Sequence, residues 1–200
     1  MNPRPVTLIG RAVRLEPLGP EHAADLLIAA AHDEIWTYLD EPTPRTRDEV
    51  EKMIAEAARE RDAGERLPFA IVVTDTGQAV GSISYIDINP THRSLEIGWG
   101  WLTPSMWGQG LTTEAAYLML RHAFEELGAV RVAFKADARN ERSQRAIHGM
   151  GATREGVFRN HRILSDGTLR HSAYFSVIES EWPRIRTTLE NKIASATSRL

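Results

Sequence analysis

Hydrophobic and polar positions follow two different periods along the chain, and these periods predict its elements. Val13 and Leu15 alternate with charged residues, which predicts a strand over 11–18. Apolar residues three and four positions apart then predict two helices. The second helix begins at Thr46, because Glu49 three positions later completes a capping box. The first third of the chain is therefore expected to fold as a strand followed by two helices.

The remainder of the chain combines strands with two further helices. The predicted elements are strands over 69–74, 79–87 and 94–101, a long helix over 113–127, a strand over 130–136, a short helix capped by Asn140, and strands over 153–163 and 169–178. The order β-α-α-β-β-β-α-β-α-β-β predicts an α/β (α+β) fold with a mixed sheet and helices on both sides. We expect a single domain over 1–182 and a C-terminal helix or tail over 183–200.

Composition excludes several classes of function. The 200 residues include no Cys, which rules out disulfides, thiolate metal sites and a cysteine nucleophile. No apolar run approaches the roughly 18 residues that would cross a membrane, and the N-terminus lacks a signal-peptide pattern, so we expect a cytoplasmic location. The net charge of −3 argues against a nucleic-acid partner, and the histidines form no metal motif. A homodimer would be the common case for a soluble oligomer.

A glycine-rich loop precedes the long helix and is the strongest local signal. Gly108 and Gly110 remove side chains that would keep an anion away from the backbone. Unpaired N–H groups and the helix dipole favour negative charge at a helix start, which indicates a phosphate site. A tight turn that binds nothing, a dinucleotide loop and a CoA pyrophosphate site all remain open. The dinucleotide loop would need a third glycine where Thr113 stands.

Two segments of the chain resemble a known family. Trp107-Gly108-Gln109-Gly110-Leu111-Thr112 resembles the R/Q-x-x-G-x-G/A loop of the GNAT superfamily of N-acetyltransferases. The stretch 96–115 and the segment that begins Asn140-Glu141-Arg142-Ser143 look like the RimJ/RimL branch, which acetylates protein N-termini. The resemblance covers about 6–182 and implies the GNAT fold, with a mostly antiparallel central sheet.

The resemblance also implies acetyl-CoA as the acyl donor, with no metal. In GNAT-like proteins the strand before the loop diverges from its neighbour, and the pantetheine pairs with the free backbone. The residues that the resemblance assigns to acetyl-CoA are Trp101, Leu102, Thr103, Trp107, Gly108, Gln109, Gly110, Leu111, Thr112, Thr113, Asn140 and Ser143.

The catalytic residues follow less directly, because two family positions differ here. The Tyr that protonates the leaving thiolate in many GNAT enzymes falls at Ile147, and the base of some RimL-like enzymes falls near Arg162. We take Ser143 as a hydrogen-bond donor to the departing sulfur. Glu96 and His161 are the alternative candidates for the base.

The acceptor site is expected near the linker between the first two helices. Glu34, Trp36 and Tyr38 combine a carboxylate with aromatic rings, which suits a cationic amine, although an acidic loop over buried aromatics fits equally well. We predict an acetyl-CoA-dependent N-acetyltransferase in which a primary amine, of a protein N-terminus or a small molecule, attacks directly in a ternary complex. The alternative is a non-catalytic acyl-CoA-binding protein of the same fold.

Overall fold

The computed structural model describes residues 1–197 and contains one eight-stranded sheet in the order β1-β2-β3-β4-β5-β6-β8-β7. The strands are β1 (Leu8–Ile9), β2 (Val13–Pro17), β3 (Arg66–Val73), β4 (Ala79–Asn89), β5 (Ser94–Leu102), β6 (Arg131–Asp137), β7 (Thr153–Ile163) and β8 (Leu169–Ile178). Every neighbouring pair is antiparallel except β5 and β6, which are parallel. The predicted mixed, mostly antiparallel sheet is confirmed.

Six helices surround the sheet. They are α1 (Ala23–Ala30), α2 (Asp33–Trp36), α3 (Arg47–Asp62), α4 (Leu111–Arg121), α5 (Glu141–Gly149) and α6 (Trp182–Thr197), and a π-helical turn over His122–Glu126 extends α4. The capping box predicted for α3 is present. The Thr46 hydroxyl accepts the N–H of Glu49 at 3.3 Å, and the Glu49 carboxylate accepts the N–H of Thr46 at 2.9 Å.

Two hydrophobic cores lie on opposite faces of the sheet. One packs α4 and α6 against strand residues that include Phe69, Tyr85 and Phe175. The other packs α1 and α3 against β3 and the end of β5, around Ala70 and Trp101. Helices therefore cover both faces, as the order of elements predicts.

The C-terminal segment is a helix, one of the two forms expected, and it packs on the domain. α6 carries Trp182, Ile185 and Leu189 into the larger core, where all three are buried. Its residues three and four apart form an apolar stripe, so α6 completes the domain instead of trailing from it. The last part of the predicted tail, 198–200, lies outside the described residues. Within residues 1–197, no helix is both long enough and apolar enough to traverse a bilayer.

Candidate active site

The strands β5 and β6 separate shortly after they begin. Their parallel ladder joins Ser94–Glu96 to Arg131–Ala133 and stops there, although β5 continues to Leu102 and β6 to Asp137. The diverging halves leave an opening in the sheet, which we call the cleft. This is the divergence that the family resemblance implies for the strand before the glycine-rich loop.

A β-bulge lies on the β5 side of the cleft. Trp99 and Gly100 together oppose Ile83 of β4, and Trp99 has a φ of 50°, which is unusual for a residue with a side chain. The Arg66 guanidinium carbon lies 5.0 Å from the centroid of the Trp99 ring, and Arg66 Nε donates to the Ser84 hydroxyl at 2.8 Å. The bulge is thus held in place by side chains of β3 and β4.

The end of β5 offers fewer free amides than the sequence suggests. The N–H of Thr103 donates to the carbonyl of Val80 at 2.9 Å, so this predicted acetyl-CoA contact faces β4 and not the cleft. Because backbone directions alternate along a strand, the N–H of Leu102 faces the cleft. The Leu102 carbonyl accepts the indole N–H of Trp107 at 2.8 Å, which fixes the loop to the strand. Trp101 is buried, with its ring centroid 5.5 Å from that of Trp36.

The glycine-rich loop has the geometry of an anion site. Gly108 has a φ of 77° and Gly110 a φ of 86°, both in the left-handed region that favours glycine. Within residues 1–197, the first amide of α4 with a protein acceptor belongs to Glu114, which donates to the Gly110 carbonyl at 3.0 Å. The amides at the start of α4 are therefore available to a ligand, in the field of the helix dipole. α4 begins two residues earlier than predicted, so Thr112 and Thr113 lie in its first turn.

The helix α5 flanks the same loop. The Asn140 side-chain oxygen accepts the backbone N–H of Ser143 at 3.0 Å, which confirms Asn140 as the cap. Arg142 lies over the Trp107 ring, with its guanidinium carbon 3.4 Å from the centroid. Gln109 donates to the Ser105 carbonyl at 2.6 Å. The Arg142–Trp107 contact joins the loop to α5, and it fits a loop that holds a diphosphate between backbone amides and an arginine.

Glu96 lies at the point where β5 and β6 separate. The residue is only 3% exposed, and its Oε2 lies 2.9 Å from Nζ of Lys135, which also lies 3.0 Å from the carboxylate of Asp87. Burial raises the pKa of Glu96 to about 7, although the positive charge of Lys135 acts in the opposite direction. A carboxylate in this range can accept a proton near neutral pH.

The space beside the Glu96 carboxylate depends on a glycine. A Cβ built on Gly98 would lie 3.1 Å from Glu96 Oε1 and 2.8 Å from Cδ1 of Ile86. Any side chain at position 98 would therefore collide with Ile86 and displace the carboxylate. Glycine lets Ile86 and Glu96 pack closely against the strand.

His161, the second candidate base, projects from a bulge in β7. Asn160 has a φ of 51° in this bulge, and the pairing with β8 shifts between Phe158 and Arg162. The His161 ring nitrogens lie 3.0 Å from the Ser172 hydroxyl and 3.2 Å from the Tyr174 hydroxyl. Burial, followed by the positive charges of Lys135 and Arg162, lowers the pKa of His161 below its usual value.

The two candidate bases belong to one polar surface. Glu96, Lys135 and Tyr174 lie on the same face of the sheet, because directly paired residues share a face. Lys135 Nζ lies 5.6 Å from the Tyr174 ring centroid, and Tyr174 contacts His161. We call the surface formed by Glu96, Lys135, Asp137, Arg170 and Tyr174 the polar face.

The predicted acceptor residues have different environments. Glu34 is exposed and Tyr38 is half-buried. Trp36 is buried, and its indole N–H donates to the Ala30 carbonyl at 2.8 Å. Both the ring and the donor of Trp36 are thus engaged inside the protein, so only Glu34 and Tyr38 are accessible.

Sequence reasoning missed most of the polar face. The sequence predicts a short apolar strand over 130–136, yet Lys135 and Asp137 alternate with Phe134 and Ala136. The same alternation recurs on β8, where polar residues occupy every second position from Arg170. A two-residue period of polar side chains inside strands is the signal that would have found them.

Comparisons with known proteins agree with this geometry. The sequence model of the acetyltransferase (GNAT) domain matches residues 12–153. YdaF of Bacillus subtilis (strain 168), whose name places it provisionally among ribosomal N-acetyltransferases, is 30% identical over 84% of this chain and 90% of its own length. The ribosomal-protein-serine acetyltransferase of Escherichia coli (strain K12) is 22% identical over 86% of this chain and 97% of its own length.

A solved structure shows the same relationship. The GCN5-related N-acetyltransferase from Brucella melitensis superimposes with a TM-score of 0.90 at 31% identity, over 96% of this chain and 86% of its own. Because the family model alone matches more than half of the residues, the chain belongs to the GNAT acetyltransferase family, as a RimJ/RimL-like N-acetyltransferase.

Proposed function

We propose that this enzyme transfers the acetyl group of acetyl-CoA to a primary amine by direct attack in a ternary complex, with Glu96 as the general base. The observation that carries this proposal is the placement of a buried carboxylate, with a pKa of about 7, at the point where β5 and β6 separate. The chain contains no Cys that could form an acyl-enzyme, which supports the direct route.

The loop between β5 and α4 supports acetyl-CoA as the donor. Its glycines at φ of 77° and 86° present backbone amides at the start of a helix, which suits the diphosphate of CoA. The N–H of Leu102 faces the cleft and is positioned to stabilise negative charge on the thioester oxygen. Trp107 and Arg142 close the loop against α5.

The proton of the amine goes to Glu96. An α-amine has a reference pKa of about 7.7–8.0, so it is partly neutral near pH 7. As its nitrogen bonds to the acetyl carbon and the carbon–sulfur bond breaks, the nitrogen loses a proton to the Glu96 carboxylate. Lys135 keeps a fraction of that carboxylate ionised in a buried position.

His161 is the second candidate for the base. Its lowered pKa makes the imidazole neutral at pH 7, but its two ring nitrogens already contact the hydroxyls of Ser172 and Tyr174. Glu96 lies where β5 and β6 separate, so we assign the proton to Glu96. A rate that rises with pH through a midpoint below 6.5 would reverse the assignment.

Ser143 is our proposed donor to the departing sulfur. It lies in the first turn of α5, and only its backbone N–H is used by the Asn140 cap. The hydroxyl therefore remains free to hydrogen-bond the thiolate, a role that a tyrosine fills in many relatives. Because a neutral hydroxyl is a weak acid, its contribution is stabilisation of the thiolate and not full protonation.

The acceptor is a primary amine of a protein N-terminus or of a small molecule. The names of YdaF and of the Escherichia coli relative both refer to ribosomal proteins, which supports an N-terminal α-amine. Glu34 and Tyr38 provide an exposed carboxylate and a half-buried ring at the linker that follows α1. These residues suit an approaching ammonium group.

An acceptor screen tests the proposal. Release of free CoA thiol is measured at saturating acetyl-CoA with peptides that have a free α-amine, with the same peptides blocked at the α-amine, and with small amines. We expect release with free amines only. Binding of acetyl-CoA without release for any amine would contradict the proposal and favour a non-catalytic acyl-CoA-binding protein.

A further inference from the structure

Two arginines face each other at the end of the β7–β8 hairpin. Arg162 of β7 and Arg170 of β8 are direct Cα partners in the antiparallel ladder. Like charges directly opposite each other destabilise a sheet. The arrangement concentrates positive charge on the polar face and therefore favours the binding of an anion.

The guanidinium of Arg170 has no hydrogen-bond or salt-bridge partner among residues 1–197. Its Nε is buried and makes no hydrogen bond, and no carboxylate lies within salt-bridge distance of its guanidinium. A buried guanidinium donor without an acceptor is costly, and arginine cannot relieve the cost by losing its proton. An anionic ligand would satisfy it.

The carboxylates whose charges act on Arg170 already accept hydrogen bonds from other groups. Asp137 accepts from Arg139 at 2.8 Å, and Asp40 accepts the backbone N–H of Ser165 at 2.8 Å. Glu96 pairs with Lys135. Each of these carboxylates interacts electrostatically with Arg170 but accepts its hydrogen bond from a different residue.

The position of Arg170 connects it to the acceptor and not to CoA. Register places it on the polar face, two residues before Ser172 and four before Tyr174, the partner of Lys135. At about 3.4 Å per residue, its Cα lies roughly 13 Å along β8 from that of Tyr174, a distance that its long side chain shortens. The glycine-rich loop leads instead into α4, which packs on the opposite, apolar face.

We propose that Arg170, together with Arg162, binds a carboxylate of the acceptor. This inference rests on the proposed function, since it concerns the amine that reaches Glu96. An extended peptide advances about 3.3–3.6 Å per residue, so a carboxylate on its second to fourth residue reaches Arg170 while the α-amine lies at Glu96. The preferred acceptor is therefore a peptide with an acidic N-terminal segment, and a polycationic amine is disfavoured.

Matched peptides test this preference. Two hexapeptides with a free α-amine differ only in Asp or Asn at the second and third positions, and kcat/KM is measured by thiol release. The wild-type enzyme favours the Asp peptide by about tenfold, the effect of one charged hydrogen bond. Arg170→Gln lowers kcat/KM for the Asp peptide by about that factor and leaves the Asn peptide within about twofold.

Two further variants serve as controls. Arg170→Lys retains the positive charge but lacks the planar guanidinium, so it keeps part of the preference for the Asp peptide. Arg159→Gln removes an exposed arginine of the same hairpin and keeps all of it. Turnover of the Asn peptide shows in each case that the variant is folded.

Binding to the CoA-saturated enzyme, measured by calorimetry, separates this inference from the proposed function. An equal rate for both peptides in the wild type, or a preference that survives Arg170→Gln, overturns the anion site while acetyl transfer stands. Arg170-dependent binding of the Asp peptide without any thiol release supports the anion site and contradicts the proposed chemistry. Equal binding of both peptides without release contradicts both.

Discussion

The two sides of the cleft are built in different ways. The proposed cofactor side consists of backbone amides from one continuous segment, 102–113, whose glycines set its shape. The proposed acceptor side consists of side chains that four strands bring together, among them Glu96, Lys135, Tyr174 and His161. A site made of backbone tolerates exchange of side chains, such as Trp107 at the first loop position. A site made of side chains depends on each residue and on the register of the sheet.

Glu96→Gln should have the largest effect on catalysis, through the acceptor side. The amide keeps the shape of the carboxylate but cannot accept a proton, so kcat should fall by about 10²-fold or more. Binding of CoA should stay within about twofold, because the loop is untouched. Glu65→Gln, at an exposed glutamate, is the control. A kcat within threefold of the wild type would remove Glu96 as the base.

Thr112→Glu should weaken the binding of CoA on the cofactor side while it stabilises the fold. Thr112 is exposed in the first turn of α4, where a negative charge stabilises the helix by about 0.3–1 kcal/mol. The same charge would repel a diphosphate, so we expect the Kd of CoA to rise about tenfold. Thermal melting and calorimetric titration measure the two opposite changes, with Thr112→Gln as the neutral control. A more stable variant with unchanged affinity would place CoA elsewhere.

Gly98→Ala sharpens the comparison because it adds one methyl group beside Glu96. The new Cβ would lie 2.8 Å from Cδ1 of Ile86 and 3.1 Å from Glu96 Oε1, so the carboxylate must shift. We expect kcat/KM for the acceptor to fall about tenfold, with CoA binding unchanged. Gly149→Ala adds the same group where nothing lies within 4 Å, and it should have no effect on the rate. Equal rates in the two variants would show that the position of the Glu96 carboxylate does not limit the reaction.

Lys135→Met tests how the polar face adjusts Glu96. The charge of Lys135 lowers the pKa of the carboxyl, so its removal should raise that pKa further. A base must be deprotonated, and the midpoint of the rate profile should therefore move to higher pH, with slower turnover at pH 7. Lys135→Arg keeps the positive charge, so the midpoint of its rate profile should lie close to that of the wild type. A midpoint that stays in place or moves to lower pH would contradict the coupling.

Ser143→Ala should have the smallest effect. Alanine retains the backbone N–H that the Asn140 cap accepts, so the melting temperature should change little. Loss of one hydrogen bond to the sulfur should lower kcat about threefold. An unchanged kcat, with chemistry shown to limit the rate, would assign the leaving group to another donor.

The sequence predicts the cofactor side because its signals are local. Gly108, Gly110 and the capping residue Asn140 act through their immediate neighbours, so adjacent residues are sufficient to identify them. The order of elements also predicts the mixed sheet. The pairing of the Thr103 amide with Val80 is not predicted, because the direction of a strand amide depends on pairing with β4, which residue types do not encode.

The sequence does not predict the acceptor side, because its residues become neighbours only in the folded sheet. Lys135 and Tyr174 become neighbours only through the register of β6 with β8, and His161 joins them only through the bulge at Asn160. Trp36 suits a cationic amine by residue type, whereas its burial against Trp101 depends on tertiary contacts. Glu96 was identified as a candidate from its position, but its pKa near 7 follows from burial that only the fold provides.

The pH dependence of kcat/KM for a peptide acceptor tests the central claim most directly. With Glu96 at a pKa of about 7 and the α-amine at about 7.7–8.0, two groups must lose protons. The logarithm of kcat/KM should therefore rise with a slope of two below pH 7 in the wild type. It should rise with a slope of one in Glu96→Gln, where only the amine titrates. A slope of one in the wild type, or a slope of two that persists in the variant, would contradict the assignment of Glu96.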